Sequence, residues 1–257
     1  MNIEQLLLLS RSQKSLVKTT EIEHIQIHQH QSLKWLYHYH PSNSAIISII
    51  NLDQPSIPVA DYQHAMLSSV FLNKPLKLCN LGMATGAFER YLQHEKAQLK
   101  IDSVEVNAAL ISLAQTDFQL PNALNIANQT AESFLAQNKT QYDVILCDIF
   151  EGEQTPESLT TQRFYEDLHK SINTAGIIAI NLLPNDEQDM LDILIPLRQV
   201  FAHQWLIDIP NCKNIVLIIS QMPLNQDVIT STFQTAQLHH LNTAHLIELA
   251  IQLPQAQ

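Results

Sequence analysis

Glycine is scarce in this sequence: four occur in 257 residues, and two of them, Gly82 and Gly86, fall within one five-residue stretch. So few glycines exclude a collagen-like or Gly-rich linker organisation and make each retained glycine informative. Cysteine is equally sparse. Cys79, Cys147 and Cys212 form no C-x-x-C pair, are odd in number, and the first two lie in apolar, strand-like runs. They read as reduced core residues rather than a disulfide framework. Basic residues are also few: 14 Lys and Arg stand against 25 Asp and Glu, a net charge of −11, with no basic run. Such a balance repels phosphate backbones and anionic lipid, so neither nucleic acid nor membrane is expected as a partner, whereas a small cationic amine would be attracted. Long hydrophobic runs are missing too. The four leucines at 6–9 lack a basic flank and stop at Ser10-Arg11-Ser12, short of a signal peptide or a membrane span, so a cytoplasmic protein is expected.

What is present is material for a large core: 46% of residues are hydrophobic and 15% charged, which rules out disorder and suits one large domain with a small one. Three extended segments, around Ile22 to His30, Leu33 to His40 and Ser44 to Ile50, predict a small antiparallel β-domain over residues 1–58. Pro55 and Pro58 close it, and Asp61 is a candidate cap for a helix from about Tyr62 to Leu72. The second domain, 59–257, alternates strands with helices from Leu76 onward. The strands read as Leu76 to Leu81, Ile101 to Val106, Leu124 to Ala127, Tyr142 to Cys147 and Gly176 to Leu182. Caps for the intervening helices are available at Asn107, Thr130, Thr160 or Thr161, and Asn185 or Asp186. Trp205 to Ile209 and Ile215 to Ser220 then form a hairpin, so the sheet is expected to end with one antiparallel strand. The fold class is α/β: a Rossmann-like, doubly wound, mostly parallel sheet with a terminal antiparallel hairpin, preceded by the small β-domain.

The chemistry belongs at the carboxyl edge of that sheet. The first strand runs into Gly82-Met83-Ala84-Thr85-Gly86 and then a helix, and small side chains there let backbone approach a ligand. Ala84 stands where a pyrophosphate-binding loop needs glycine, which disfavours a dinucleotide. Glu105 ends the next strand nineteen residues after Gly86, placed to accept hydrogen bonds from ribose hydroxyls. Asp148 ends the fourth strand, across the switch point from the glycine loop, and is the best catalytic candidate; Glu151 and Glu153 follow it. Ser69, Ser112 and Ser158 have no nucleophile-elbow context. His28 with His30 and His38 with His40 fall on shared faces of adjacent strands, but without a completed ligand set they read as a polar outer face, and no metal is expected; His239 and His240 read as solvated.

Tyr62-Gln63, the Gly82 loop, Glu105, and Tyr142 to Asp148 followed by Pro156, Leu159 and Phe164-Tyr165 resemble the spermidine synthase superfamily. The resemblance spans roughly residues 20 to 220, and it is strongest to the bacterial spermidine-synthase-like branch, whose loop reads Asp-x-Phe-x-Gly and whose fifth strand ends in Asn-Leu, here Asn181-Leu182. It implies an S-adenosylmethionine-type co-substrate. By the resemblance, Gln63 would touch the nucleoside, Tyr62 would line the amine pocket, Glu105 would hold the ribose, and Asp148 would position and deprotonate the attacking amine, in a homodimer. Glu151 stands for the second carboxylate of an Asp-x-x-Asp gate.

Besides Glu151 in place of that gate's second aspartate, the sequence departs from the synthases in three respects. Thr85 replaces an aspartate that grips the aminopropyl end, Gln129-Thr130 replaces the Gly-Asp near adenine, and no C-terminal tyrosine-rich segment is recognisable. Three functions therefore stay open: aminopropyl transfer from decarboxylated S-adenosylmethionine to a polyamine, methyl transfer from intact S-adenosylmethionine, and a non-catalytic nucleoside-binding homologue.

Overall fold

In a computed structural model, residues 3–40, 44–150, 156–210 and 212–254 are described. The leucine run forms helix α1 (Ile3–Arg11), which buries Leu6 and Ser10, and Ser10 Oγ accepts the Trp35 indole N–H at 2.8 Å. Strands β1 (Leu16–Thr19), β2 (Ile25–His30), β3 (Leu33–His38) and β4 (Ala45–Asn51) make an antiparallel sheet in that order. Alternation sets its two faces. Ile25, Ile27, Leu36 and Ile50 pack on Phe118 of the larger unit, while Trp35, Tyr37 and Ile49 pack under α1 with Leu6. His28 differs from the sequence expectation of an outer polar face. Its ring is fully buried, lies 5.7 Å from Trp35 in a stacked contact, and hydrogen-bonds Ser15 and Gln26. A small antiparallel sheet covered by a helix on one side has no solvated face at that position.

Helix α2 (Asp61–Ser68) follows, continued by a 3-10 turn at Ser69–Phe71. Its N-cap is Ala60 with no side-chain cap, so Asp61 is a first-turn residue whose charge favours the helix N-terminus, not the capping residue the sequence suggested. Next come β5 (Lys77–Leu81), α3 (Ala87–Glu95), β6 (Lys100–Val104), α4 (Ala108–Asp117), β7 (Asn125–Ala127), α5 (Ala131–Gln137), β8 (Tyr142–Cys147), α6 (Gln162–Ser171), β9 (Ile172–Leu182), α7 (Glu187–Val200), β10 (His203–Asp208), β11 (Ile215–Ser220), α8 (Gln226–Leu238) and β12 (Ala250–Gln252). Side chains of Asn107, Thr130, Thr161 and Asp186 cap α4, α5, α6 and α7, each satisfying otherwise orphaned N–H groups at about 1 kcal/mol apiece.

The eight strands run β12-β10-β11-β9-β8-β5-β6-β7. From β5 the chain winds outward through β6 and β7, then returns to the other side of β5 with β8, which makes β5/β8 the switch point. The hairpin differs from the expected single terminal antiparallel strand: β11 is inserted antiparallel between β9 and β10, and the edge is β12, paired with β10. β8 and β9 are apolar over most of their length because helices cover both faces, and Cys79 on β5 and Cys147 on β8 are free and fully buried. Among the described residues no helix is long and apolar enough to cross a membrane.

Candidate active site

Left-handed backbone at every second residue shapes the loop after β5: Gly82 at φ 87°, Ala84 at φ 47° and Gly86 at φ 77°. Gly82 and Met83 donate their N–H groups to the Val104 carbonyl, holding the turn against β6. At Gly86 a Cβ would fall 2.1 Å from Leu120 Cδ1, so the bare backbone lets Leu120 close under the loop. Ala84 takes a conformation that costs an L-residue about 1–2 kcal/mol, and it is compensated locally: its N–H donates to Glu105 Oε2 at 2.9 Å.

Glu105 is buried at the end of β6, and Oε1 accepts the Asn107 N–H at 2.9 Å. Two backbone donors thus orient the carboxylate and leave lone pairs on both oxygens for further donors. Asn128 supports the same strand end from β7, its Nδ2 donating to the carbonyls of Glu105 and Val106. Thr85 is fully buried, and its hydroxyl hydrogen-bonds Ser48 on β4. Its carbonyl accepts from Arg90, whose guanidinium also binds the carbonyls of Phe118 and Pro55. The Thr85 side chain therefore ties the loop to the small sheet. Thr130 caps α5 through the Ser133 N–H.

Asp148 lies just past β8 and is half-buried. Its N–H donates to the Leu81 carbonyl at 2.8 Å, fixing it beside the start of the glycine loop. The Tyr62 hydroxyl from α2 donates to Oδ2 at 3.2 Å, and Asn181 Nδ2 from the end of β9 donates to Oδ1 at 2.8 Å. Gln63 Nε2 reaches the Tyr62 oxygen at 3.5 Å. Burial raises the Asp148 pKa to about 6, opposed by the bonds from Asn181 and Tyr62 and assisted by the nearby Glu89. Burial, and then the charge of Asp148, push the Tyr62 phenol well above its usual range, so it stays a donor.

Tyr62, Gln63, Gly82 and Asp148 thus meet at the switch point, with Glu105 one strand away and bonded to the same loop. Glu151 lies outside the described residues. Sequence reasoning named Asn181 only as part of a motif and missed Asn214, whose Nδ2 donates to Asn181 Oδ1 at 2.9 Å, and Glu89, which is fully buried with Oε1 bonded by Asn80 and Ser103. An asparagine closing an apolar strand was the available signal for Asn181. Glu89 carried none, since a glutamate in a first helical turn is ordinarily exposed and favoured by the dipole. Among the described residues no group of three or more His, Cys, Asp or Glu could hold a metal ion.

No family model matches the chain. The polyamine aminopropyltransferase of Chromobacterium violaceum is 27% identical over 153 residues, 58% of this chain and 59% of that protein, so the chain matches less than two thirds of its relative's length. In structure it is similar to a probable spermidine synthase from Corynebacterium glutamicum, at TM-score 0.74 and 21% identity, over 93% of this chain and 90% of that one. Human Methyltransferase-like protein 13, solved in complex with SAH, superposes at TM-score 0.63 and 19% identity over 70% of this chain and 92% of that one. The chain has the methyltransferase-like α/β fold that these two structures share.

Proposed function

We propose that this chain is an aminopropyltransferase of the spermidine-synthase type, moving an aminopropyl group from decarboxylated S-adenosylmethionine to a polyamine. The observation that carries the reading is the Asp148 carboxyl, held between Tyr62 and Asn181 beside the Gly82 loop with its pKa raised to about 6. The sequence likeness to polyamine aminopropyltransferases supports it. A group of that pKa is largely ionised near neutrality, attracts an ammonium, and can accept its proton.

In this reading Glu105 holds the ribose, Gly82, Ala84 and Gly86 let the nucleoside approach the backbone, Gln63 and Thr130 border it, and Thr85 braces the loop. Tyr62 lines the amine pocket, and the resemblance makes Glu151 the second carboxylate of the gate. The acceptor amine gives its proton to Asp148 Oδ2, and its nitrogen then attacks the carbon bonded to the sulfonium. The C–N bond forms as the C–S bond breaks, the bonding pair passes to sulfur, and methylthioadenosine leaves. The same reading takes residues 1–58 and 59–257 as separate domains of a cytoplasmic homodimer.

The test is methylthioadenosine release from decarboxylated S-adenosylmethionine with putrescine or spermidine as acceptor, alongside methyl transfer from the intact donor. Release with an amine supports the proposal. Methyl transfer alone, or no turnover of either donor by folded protein, overturns it.

A further inference from the structure

An asparagine amide has a donor end and an acceptor end of the same shape, so packing does not decide which end faces a neighbour. Asn181 poses this question at the most consequential place in the molecule. It is buried at the end of β9 and touches the Asp148 carboxyl. Its Nδ2 donates to Asp148 Oδ1 at 2.8 Å while its Oδ1, directed the other way, accepts Asn214 Nδ2 at 2.9 Å, so both ends of the amide are bonded in this orientation. Asn214 stands in the loop entering β11, and the antiparallel insertion of β11 beside β9 brings it there. A backbone bond holds its main chain in place, the Ile209 N–H donating to the Asn214 carbonyl at 3.0 Å.

We propose that Asn214 is a positioning residue for the reaction: acting through Asn181, it fixes the amide so that an N–H faces Asp148, pins Oδ1, and leaves Oδ2 with the Tyr62 hydroxyl as the oxygen presented to the amine. This rests on the aminopropyltransferase reading for its catalytic consequence, but the orientation itself does not. With the amide reversed, a carbonyl oxygen would face the carboxylate, a contact tolerated only when Asp148 is protonated. Asn214 thereby favours the ionised base. The titratable groups around Asp148 are Tyr62 on α2, Glu89 on α3 and Cys147 on β8, with Cys212 beside Tyr62; of these Cys212 meets Asn214, through the Asn214 backbone that the alanine variant keeps.

The experiment compares wild type, Asn214→Ala, Asn181→Leu and the double variant. Asp148 protonation is read without turnover, from the pH dependence of unfolding relative to the matching Asp148→Asn background. Turnover is read as kcat, KM and the acid limb of the pH profile. Asn214→Ala is expected to move the Asp148 midpoint up by about one unit, to lower kcat at pH 6 to 7 several-fold, and to leave donor KM unchanged. In the Asn181→Leu background Asn214→Ala should add nothing, because the residue acts only through Asn181. An unmoved midpoint in folded Asn214→Ala, or an effect that persists without Asn181, overturns the proposal. A moved midpoint in a protein that transfers no aminopropyl group upholds the orientation and overturns the functional reading instead.

Discussion

Gly82 and Asp148 touch through their backbones: a Cβ on Gly82 would lie 2.2 Å from the Asp148 carbonyl oxygen. The start of the glycine loop and the end of the strand bearing the candidate base are therefore pressed together with no room for a side chain. Any motion of one strand end is felt by the other.

Gly82→Ala meets both that clash and a backbone at φ 87°. The neighbour is main chain, which cannot rotate away, so the expected loss is at least about 2 kcal/mol. Urea unfolding measures it, and nucleoside affinity should fall with it. An alanine variant of wild-type stability would show that the two strand ends are not in contact.

Asp148→Asn separates charge from shape, since its oxygen still accepts from Asn181 and its amide can donate to Tyr62. Turnover should fall by roughly 10² to 10⁴, the usual worth of a positioned base. Stability should move the other way. Folding raises the Asp148 pKa from 3.8 to about 6, so between those values the folded chain holds a proton the unfolded chain has released, and wild-type stability falls as pH rises through that window. At pH 7 the variant should be more stable by up to about 3 kcal/mol, with the difference gone below about pH 4. A variant less stable than wild type at pH 7 would contradict the buried, raised carboxyl.

Wild-type kcat/KM for the amine should climb with pH to a plateau, with the acid limb centred near 6 where Asp148 ionises. Loss of that limb in Asp148→Asn identifies the group. A limb near 4 would assign it to an exposed carboxylate instead.

Methylthioadenosine should raise the melting temperature of the wild type, because a ligand bound only by the folded state stabilises it. Glu105→Ala should abolish most of that rise and also free the Ala84 and Asn107 N–H groups. An undiminished shift would remove Glu105 from the ribose contact.

Thr85→Asp would restore the aspartate of the synthases that the chain resembles, but here it inserts a carboxylate into a fully buried contact with Ser48. The expected result is destabilisation of about 2 to 4 kcal/mol rather than sharper donor selectivity, read from thermal unfolding and from competition between the two donors. A stable variant with improved selectivity would place this side chain at the ligand.

Much of the molecule was legible before folding because it rests on short-range rules. The strand and helix alternation follows from apolar periodicity, and the caps at Asn107, Thr130, Thr161 and Asp186 follow from side chains bonding N–H groups two or three residues on. The left-handed turns at Gly82 and Gly86 follow from glycine's freedom, and strand order carries Asp148 to the switch point beside them.

Tertiary structure alone decided which polar groups face each other. Ser48 meets Thr85, Asn214 meets Asn181 and Tyr62 meets Asp148 only once two sheets and an inserted strand have taken their registers. The same holds for His28, buried on Trp35, and for His239, read as solvated in sequence but paired with Glu95 at 2.9 Å and stacked on Phe71. The sequence determined which strand ends carry carboxylates and amides, because pattern and composition are local. The raised pKa of Asp148 and the direction of the Asn181 amide depend on desolvation and on partners distant along the chain, and these exist only in the folded packing.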